Sequence, residues 1–209
     1  MRWALIVFVA AAAAVLAAAE PHLTAISPVF HELVAFSLPG EFKSQNATYE
    51  HNNGAFYIRE HVPQGESVDK WTQMITLTGA RDLASNPNAT PRGFVSSLAN
   101  GFRNHCPDTF ATIEIGPESI GANQGFAIVA SCGLVQAGAQ AFSESAIILA
   151  IRGSADMYSI QWARRGAGTS TPMKLDSAYW AKQLERLQPI RLCPIVPGEA
   201  APYPSCVGR

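Results

Sequence analysis

Two glutamates stand where strands should bury their side chains. Glu60 falls on the apolar face of a hairpin pattern that also carries Tyr49 and Ile58, and Glu144 lies inside residues 141–151, a run apolar on both faces. A carboxylate forced into such surroundings changes its proton affinity or pairs with a cation. Arg152 and Arg164, at the ends of strand patterns, are the expected partners. Glu60, Glu144, Arg152 and Arg164 are therefore the candidate ligand-binding residues. They read either as a structural ion pair at the rim of a sheet or as a ligand-gripping or general-acid site.

Other chemistry-bearing patterns are weaker. Ser67-Val68-Asp69-Lys70 has the Ser-x-x-Lys spacing in which a lysine one helical turn away activates a serine nucleophile. The Ser-Asp-Asn and Lys-Thr-Gly companions of that motif are missing, so Ser67 reads as a cap on a short helical turn and Lys70 as a solvated side chain. His22, His31, His51, His61 and His105 are scattered, with no spacing that gathers metal ligands. A two-residue hairpin loop at Asn53-Gly54 would put His51 and His61 on opposite faces. No phosphate-cradling glycine loop and no Gly-x-Ser-x-Gly elbow occurs. No catalytic residue, metal or cofactor is expected.

The four cysteines, Cys106, Cys132, Cys193 and Cys206, are an even set that reads as two disulfides in an oxidising compartment. Three pairings are formally possible. The favoured one joins Cys106 to Cys132, pinning a helix end to a nearby strand, and Cys193 to Cys206, closing a Pro-rich tail. Neither a Cys-x-x-Cys pair nor a ligand cluster favours a redox or zinc site.

The elements that must position these residues follow from periodicity. Residues 33–38 read as a first strand ended by Pro39-Gly40. Residues 42–52 and 55–62 flank Asn53-Gly54, the strongest short hairpin signal. With a two-residue loop there, Tyr49 should oppose Ile58, and His51 should oppose Phe56. Residues 71–77 lean to strand because Ile75-Thr76-Leu77-Thr78 is rich in β-branched side chains. Thr90-Pro91 is a helix start, and Phe94, Val95, Leu98 and Phe102 recur at helical spacing. Residues 109–115, 126–132, 141–151 and 157–163 form four strands in succession, an antiparallel meander whose middle members are apolar on both faces. A last helix is expected over 174–187, and the tail from Pro189 reads as irregular. The fold class is α+β: a mostly antiparallel sheet of about seven strands flanked by two main helices, an α/β/α sandwich.

Residues 4–19 are an uncharged apolar run behind Arg2, closing on Ala17-Ala18-Ala19. That is the three-part pattern of a secretory signal, and it is shorter than the roughly 20 residues of a spanning helix. Cleavage is expected between Ala19 and Glu20, which gives a signal peptide over 1–19, one domain over 20–188 and a disulfide-closed tail over 189–209. Cleavage moves the formal charge from −1 to −2 by removing Arg2. Such balanced charge argues against a nucleic-acid partner. The product is expected to be a periplasmic or extracellular protein with no membrane span after signal cleavage.

The order of elements (a short strand ending in Pro-Gly, a hairpin, a Glu-x-x-x-x-Trp stretch from Glu66 to Trp71, a strand, a long helix, an antiparallel meander and a closing helix) resembles the PsbP-like α/β/α sandwich of exported bacterial proteins. The resemblance covers roughly residues 30–188 and is one of topology. It implies a binding or chaperone-like accessory role rather than catalysis, and no family residue carries over position by position. The expected function is thus a non-enzymatic exported module that binds an unknown protein or small ligand through a sheet edge or a helix–sheet groove. The alternative is a hydrolase or other acid–base enzyme using Glu60 or Glu144.

Overall fold

A computed structural model describes residues 23–42, 47–137 and 140–207. The signal-like segment, the proposed cleavage point and His22 lie outside them. The strands form two antiparallel sheets. The smaller has the order β1-β2-β10, from β1 (Leu23–Val29), β2 (Glu32–Leu38) and β10 (Arg191–Pro194). The larger has seven strands: β3 (Tyr49–Asn52), β4 (Phe56–His61), β5 (Gln73–Ala80), β6 (Phe110–Ile120), β7 (Asn123–Ala137), β8 (Gln140–Arg152) and β9 (Met157–Ala167). Their order is β3-β4-β5-β9-β8-β7-β6, so the expected meander is present and β9 closes back onto β5. The α+β class and the seven-stranded antiparallel sheet agree with the sequence reading.

Both faces of the large sheet are apolar at its centre and both are covered. On one face Ile128, Ala130, Ala146, Ile148, Ala150 and Ala163 pack beneath α1 (Pro91–His105). The alanines let the helix approach the strands closely, and Val95 and Ala99 are its buried contacts. On the other face Val129, Ile147, Leu149, Ile160 and Trp162 pack against Val34, Phe36 and Leu38 of β2 and against Trp180 and Leu184 of α2 (Ser177–Arg186). The second covering layer is therefore a small sheet together with a helix. Gly79 marks how closely the layers meet, since a Cβ there would lie 2.6 Å from Val29 Cγ1.

Both helices start where side chains satisfy their free N–H groups. Thr90 Oγ1 accepts from Gly93 N–H, with Pro91 at the first helical position. Asp176 Oδ1 accepts from Ala178 N–H and Tyr179 N–H, which starts α2 at Ser177, later than the expected 174.

Three local expectations are corrected. In the β3–β4 hairpin Tyr49 opposes Glu60 and His51 opposes Ile58. Asn53 Oδ1 accepts from Ala55 N–H and Phe56 N–H, and Asn53 N–H donates to Phe56 O, so the two loop residues are Gly54-Ala55. Asn53 acts as the Asx residue before the turn, and Gly54, at φ +87°, takes the first central position. The shift is two residues, so every side chain keeps its expected face. Ser67 and Lys70 face each other across a reverse turn, not a helical one, and Ser67 Oγ accepts from Lys70 N–H at 3.2 Å. The tail is ordered: β10 pairs with β2, and α3 (Pro204–Val207) places Cys206 against Leu33 and Ala35.

The disulfides are Cys106–Cys132 and Cys193–Cys206, the favoured pairing. The first ties the C-terminal end of α1 to β7, and the second ties β10 to α3. Replacing Cys106 and Cys132 by serine should lower the unfolding free energy by about 2–4 kcal/mol in urea titrations. An unchanged midpoint would show that helix packing alone holds α1 in place.

Candidate functional site

The face under α1 holds both singled-out carboxylates. Even-numbered residues of β4 and β8 and odd-numbered residues of β9 share it, which places Glu60, Glu144, Arg152 and Arg165 on one side of the sheet. The cation that meets Glu144 is Arg165, its cross-strand neighbour, at 3.0 Å from Nε to Oε2. The Arg165 guanidinium lies 3.7 Å from the centre of the Trp71 ring and 4.1 Å from that of Phe142. Two aromatic faces and a carboxylate therefore fix its position. The sequence signal for this partner was available: Arg165 directly follows Arg164, and strand alternation puts one of the two on each face.

Beside Glu144, between the C-terminal half of α1 and strands β7 and β8, runs a groove of about 290 Å³. Leu98, Phe102, Val135 and Cys132 supply its apolar walls, and Glu144 and His105 supply its polar groups. His105 Nδ1 lies 2.7 Å from Gly101 O; a carbonyl can only accept, so Nδ1 carries a proton and donates it to this bond. The arrangement suits an apolar group bearing a polar or cationic end.

Glu60 lies outside the groove lining. It sits on a flank of the sheet that α1 leaves half-exposed, with Thr76 and Gln161 beside it in register on β5 and β9. Burial raises its pKa above the ordinary carboxylate value, and the negative charge of Glu144 adds to the rise. The structure thus brings Glu60 and Glu144 into electrical contact, while Arg152 and Arg164 serve elsewhere. Arg152 donates to the carbonyls of Ala84, Ala89 and Asn86, clamping the loop that leads into α1. Arg164 points to the opposite face, where it donates to Tyr179 Oη and anchors α2.

A second polar cluster escaped the sequence reading. His31, Asp82 and Asp156 each place a possible ligand atom within 4.8 Å of the others. The Asp156 oxygens are already engaged: Oδ1 accepts from Asp82 N–H at 2.8 Å, and Oδ2 from His31 N–H at 3.1 Å and Tyr158 Oη–H at 3.0 Å. His31 Nδ1 lies 2.9 Å from the same Oδ2. Asp156 is fully buried, and burial alone would raise its pKa; the donors from Asp82, His31 and Tyr158 outweigh this and hold it below the usual aspartate value. The cluster is a knot that ties three turns together, and its carboxylate has few lone pairs left to offer a metal. Its signal was an acid in a tight turn two residues before a tyrosine.

No protein-family model matches the chain, and no curated protein matches it either. Among solved structures the chain is similar to one from Bacteroides thetaiotaomicron VPI-5482, determined at 1.50 Å resolution. The identity is 11% and the TM-score 0.36, over 79% of this chain and 46% of that one. This chain thus matches less than half of the length of that structure, and a likeness of this degree says nothing of activity. Among the described residues no helix is long and apolar enough to cross a membrane.

Two titrations separate the carboxylates. The raised pKa of Glu60 means that the folded state holds a proton the unfolded chain releases. Its contribution to stability is full below the ordinary glutamate pKa and falls as pH rises toward the folded value. Glu60→Gln should therefore match the parent in melting temperature near about pH 4 and exceed it at neutral pH. A constant difference across that range would contradict the shift. For Asp156 the sign reverses: its lowered pKa stabilises above the ordinary aspartate value and is lost as pH falls through the folded one. Asp156→Asn should cost about 2–4 kcal/mol at neutral pH, with the gap closing in acid.

Proposed function

We propose that this is an exported, non-enzymatic binding or accessory protein, and that it seats an apolar group of its ligand or partner in the groove between α1 and strands β7 and β8. The observation that carries the reading is the composition of that groove. Leu98, Phe102 and Val135 offer an apolar lining, and Glu144 is the one acid along it. Glu144 is already neutralised by an arginine held between two aromatic rings. A carboxylate so engaged is held in place to orient a polar or cationic group of the ligand. Both cysteine pairs are oxidised, as suits an exported chain, and the signal-like pattern over residues 1–19 points the same way. The PsbP-like order of elements supports an accessory role.

One observation favours a second reading. Glu60 keeps its proton to higher pH than an ordinary glutamate and feels the charge of Glu144, which is how an acid–base pair divides its work. In that case the chain is a hydrolase or other acid–base enzyme.

The chain from Glu20, with its disulfides intact, is the bait for an affinity capture from native envelope or secreted extract, with proteins and small molecules identified by mass spectrometry. The binding reading expects a specific partner at near-equal amount, lost from Leu98→Trp, which fills the groove, and weakened by Glu144→Gln; thermal melts confirm that both variants fold. Retention of the same partner by Leu98→Trp would overturn the groove as its site. A substrate turned over by the parent but not by folded Glu60→Gln would replace the binding reading with the enzymatic one.

A further inference from the structure

A cavity of about 490 Å³ follows the outer edge of β1, which pairs with no strand but β2 among the described residues. The backbone register shows what that edge presents. The β1–β2 hairpin closes on the pair Val29–Glu32 across a two-residue turn, a hydrogen-bonded pair in such hairpins, so Ser27 and Ala25 also bond toward β2. Ser37, opposite Thr24, accordingly sends its N–H away from β1, to Leu187 O at 2.9 Å. The alternate residues Thr24, Ile26 and Pro28 turn their backbone polar groups outward, and all three line the cavity. Proline falls at a position that owes β2 no hydrogen bond, which is where an edge strand tolerates it.

The walls on either side differ in chemistry. On the side facing the large sheet lies Arg59, whose side chain is 16% exposed and donates to Ser27 Oγ at 3.2 Å, with Glu50 Oε2 4.0 Å away. On the outer side are Ile26 and, from the disulfide-closed tail, Pro202, Tyr203 and Val207. Among the described residues of the lining Arg59 is the one that is charged, and it is positive.

We infer that the β1 edge is a docking groove for an extended peptide segment of a partner protein, added as a fourth strand to the small sheet. Its side chains alternate between acidic ones facing Arg59 and apolar ones facing Ile26 and Tyr203. Strand addition takes affinity from main-chain hydrogen bonds and specificity from alternate side chains. The outward N–H groups of Thr24 and Ile26 and the outward carbonyls of Thr24, Ile26 and Pro28 are the main-chain partners, and the guanidinium is the charge complement of a carboxylate. The groove lies apart from the one beneath α1, so either can fail without the other.

The probe is acetyl-Val-Glu-Val-Glu-Val-amide, compared by calorimetry and amide hydrogen exchange with its Gln and Lys counterparts on the disulfide-intact chain. The acidic peptide should bind at least tenfold more tightly than the Lys peptide and slow exchange at Thr24 and Ile26. N-methylation of alternate peptide residues should abolish binding in one phase of the alternation and spare it in the other, a readout that needs no protein variant. Arg59→Gln should equalise the three peptides. Equal affinities in the parent, or unchanged exchange at Thr24 and Ile26, would overturn the inference. So would binding of acetate alone with the same Arg59 dependence, which would assign a simple anion site.

Discussion

Strands β7 and β8 are apolar on both faces, and that requirement organises the molecule. A sheet whose centre is greasy on two sides must be covered on two sides. The chain meets this with unequal covers. A single helix, α1, lies on the alanine-rich face, while a three-stranded sheet and α2 share the face built from larger side chains. One helix is too narrow for seven strands. The flank left half-open on its side is where Glu60, Thr76 and Gln161 stand, and the step between helix and sheet at its C-terminal end is the groove. The candidate site is thus a consequence of how the core is covered.

Fixing these layers falls to polar and covalent ties at the turns. Asp156 joins the β1–β2 turn, through His31, to the chain after β5, through Asp82, and Tyr158 Oη lies 3.2 Å from Val29 O beside it. Arg152 holds the loop before α1, and Cys106–Cys132 holds the helix's far end. Both ends of α1 are therefore anchored, and with them the helical wall of the groove. A preformed apolar cavity of this kind loses little ordering entropy when it is filled.

Much of the architecture was legible in the sequence because its signals are local. Thr90-Pro91 announced α1, the long apolar runs announced a two-sided sheet, and the cysteine spacing suited the observed pairing. What escaped depends on partners distant in sequence. β1 carries Pro28, which a central strand could not, and only its edge position accommodates it. β10 is four residues long and becomes a strand because β2 offers it an edge. Alternation marked Glu60 and Glu144 as acids in burying strands, but that they share one face depends on the strand order β4-β5-β9-β8, which no local pattern encodes. Arg165 was passed over for its neighbour Arg164, because alternation separates the two without saying which side faces the acids. Of the donors to Asp156 only Tyr158 is local; the other two come from residues 74 and 125 positions away, beyond any local pattern.

The central claim is that the groove beneath α1 holds a ligand rather than transforming one. Native mass spectrometry of the protein isolated from its own compartment, disulfides intact, tests it most directly. The account predicts a non-covalent companion mass, at one per chain, that is absent from folded Leu98→Trp isolated in the same way. The same mass on both proteins, or bare chains from both, would contradict it.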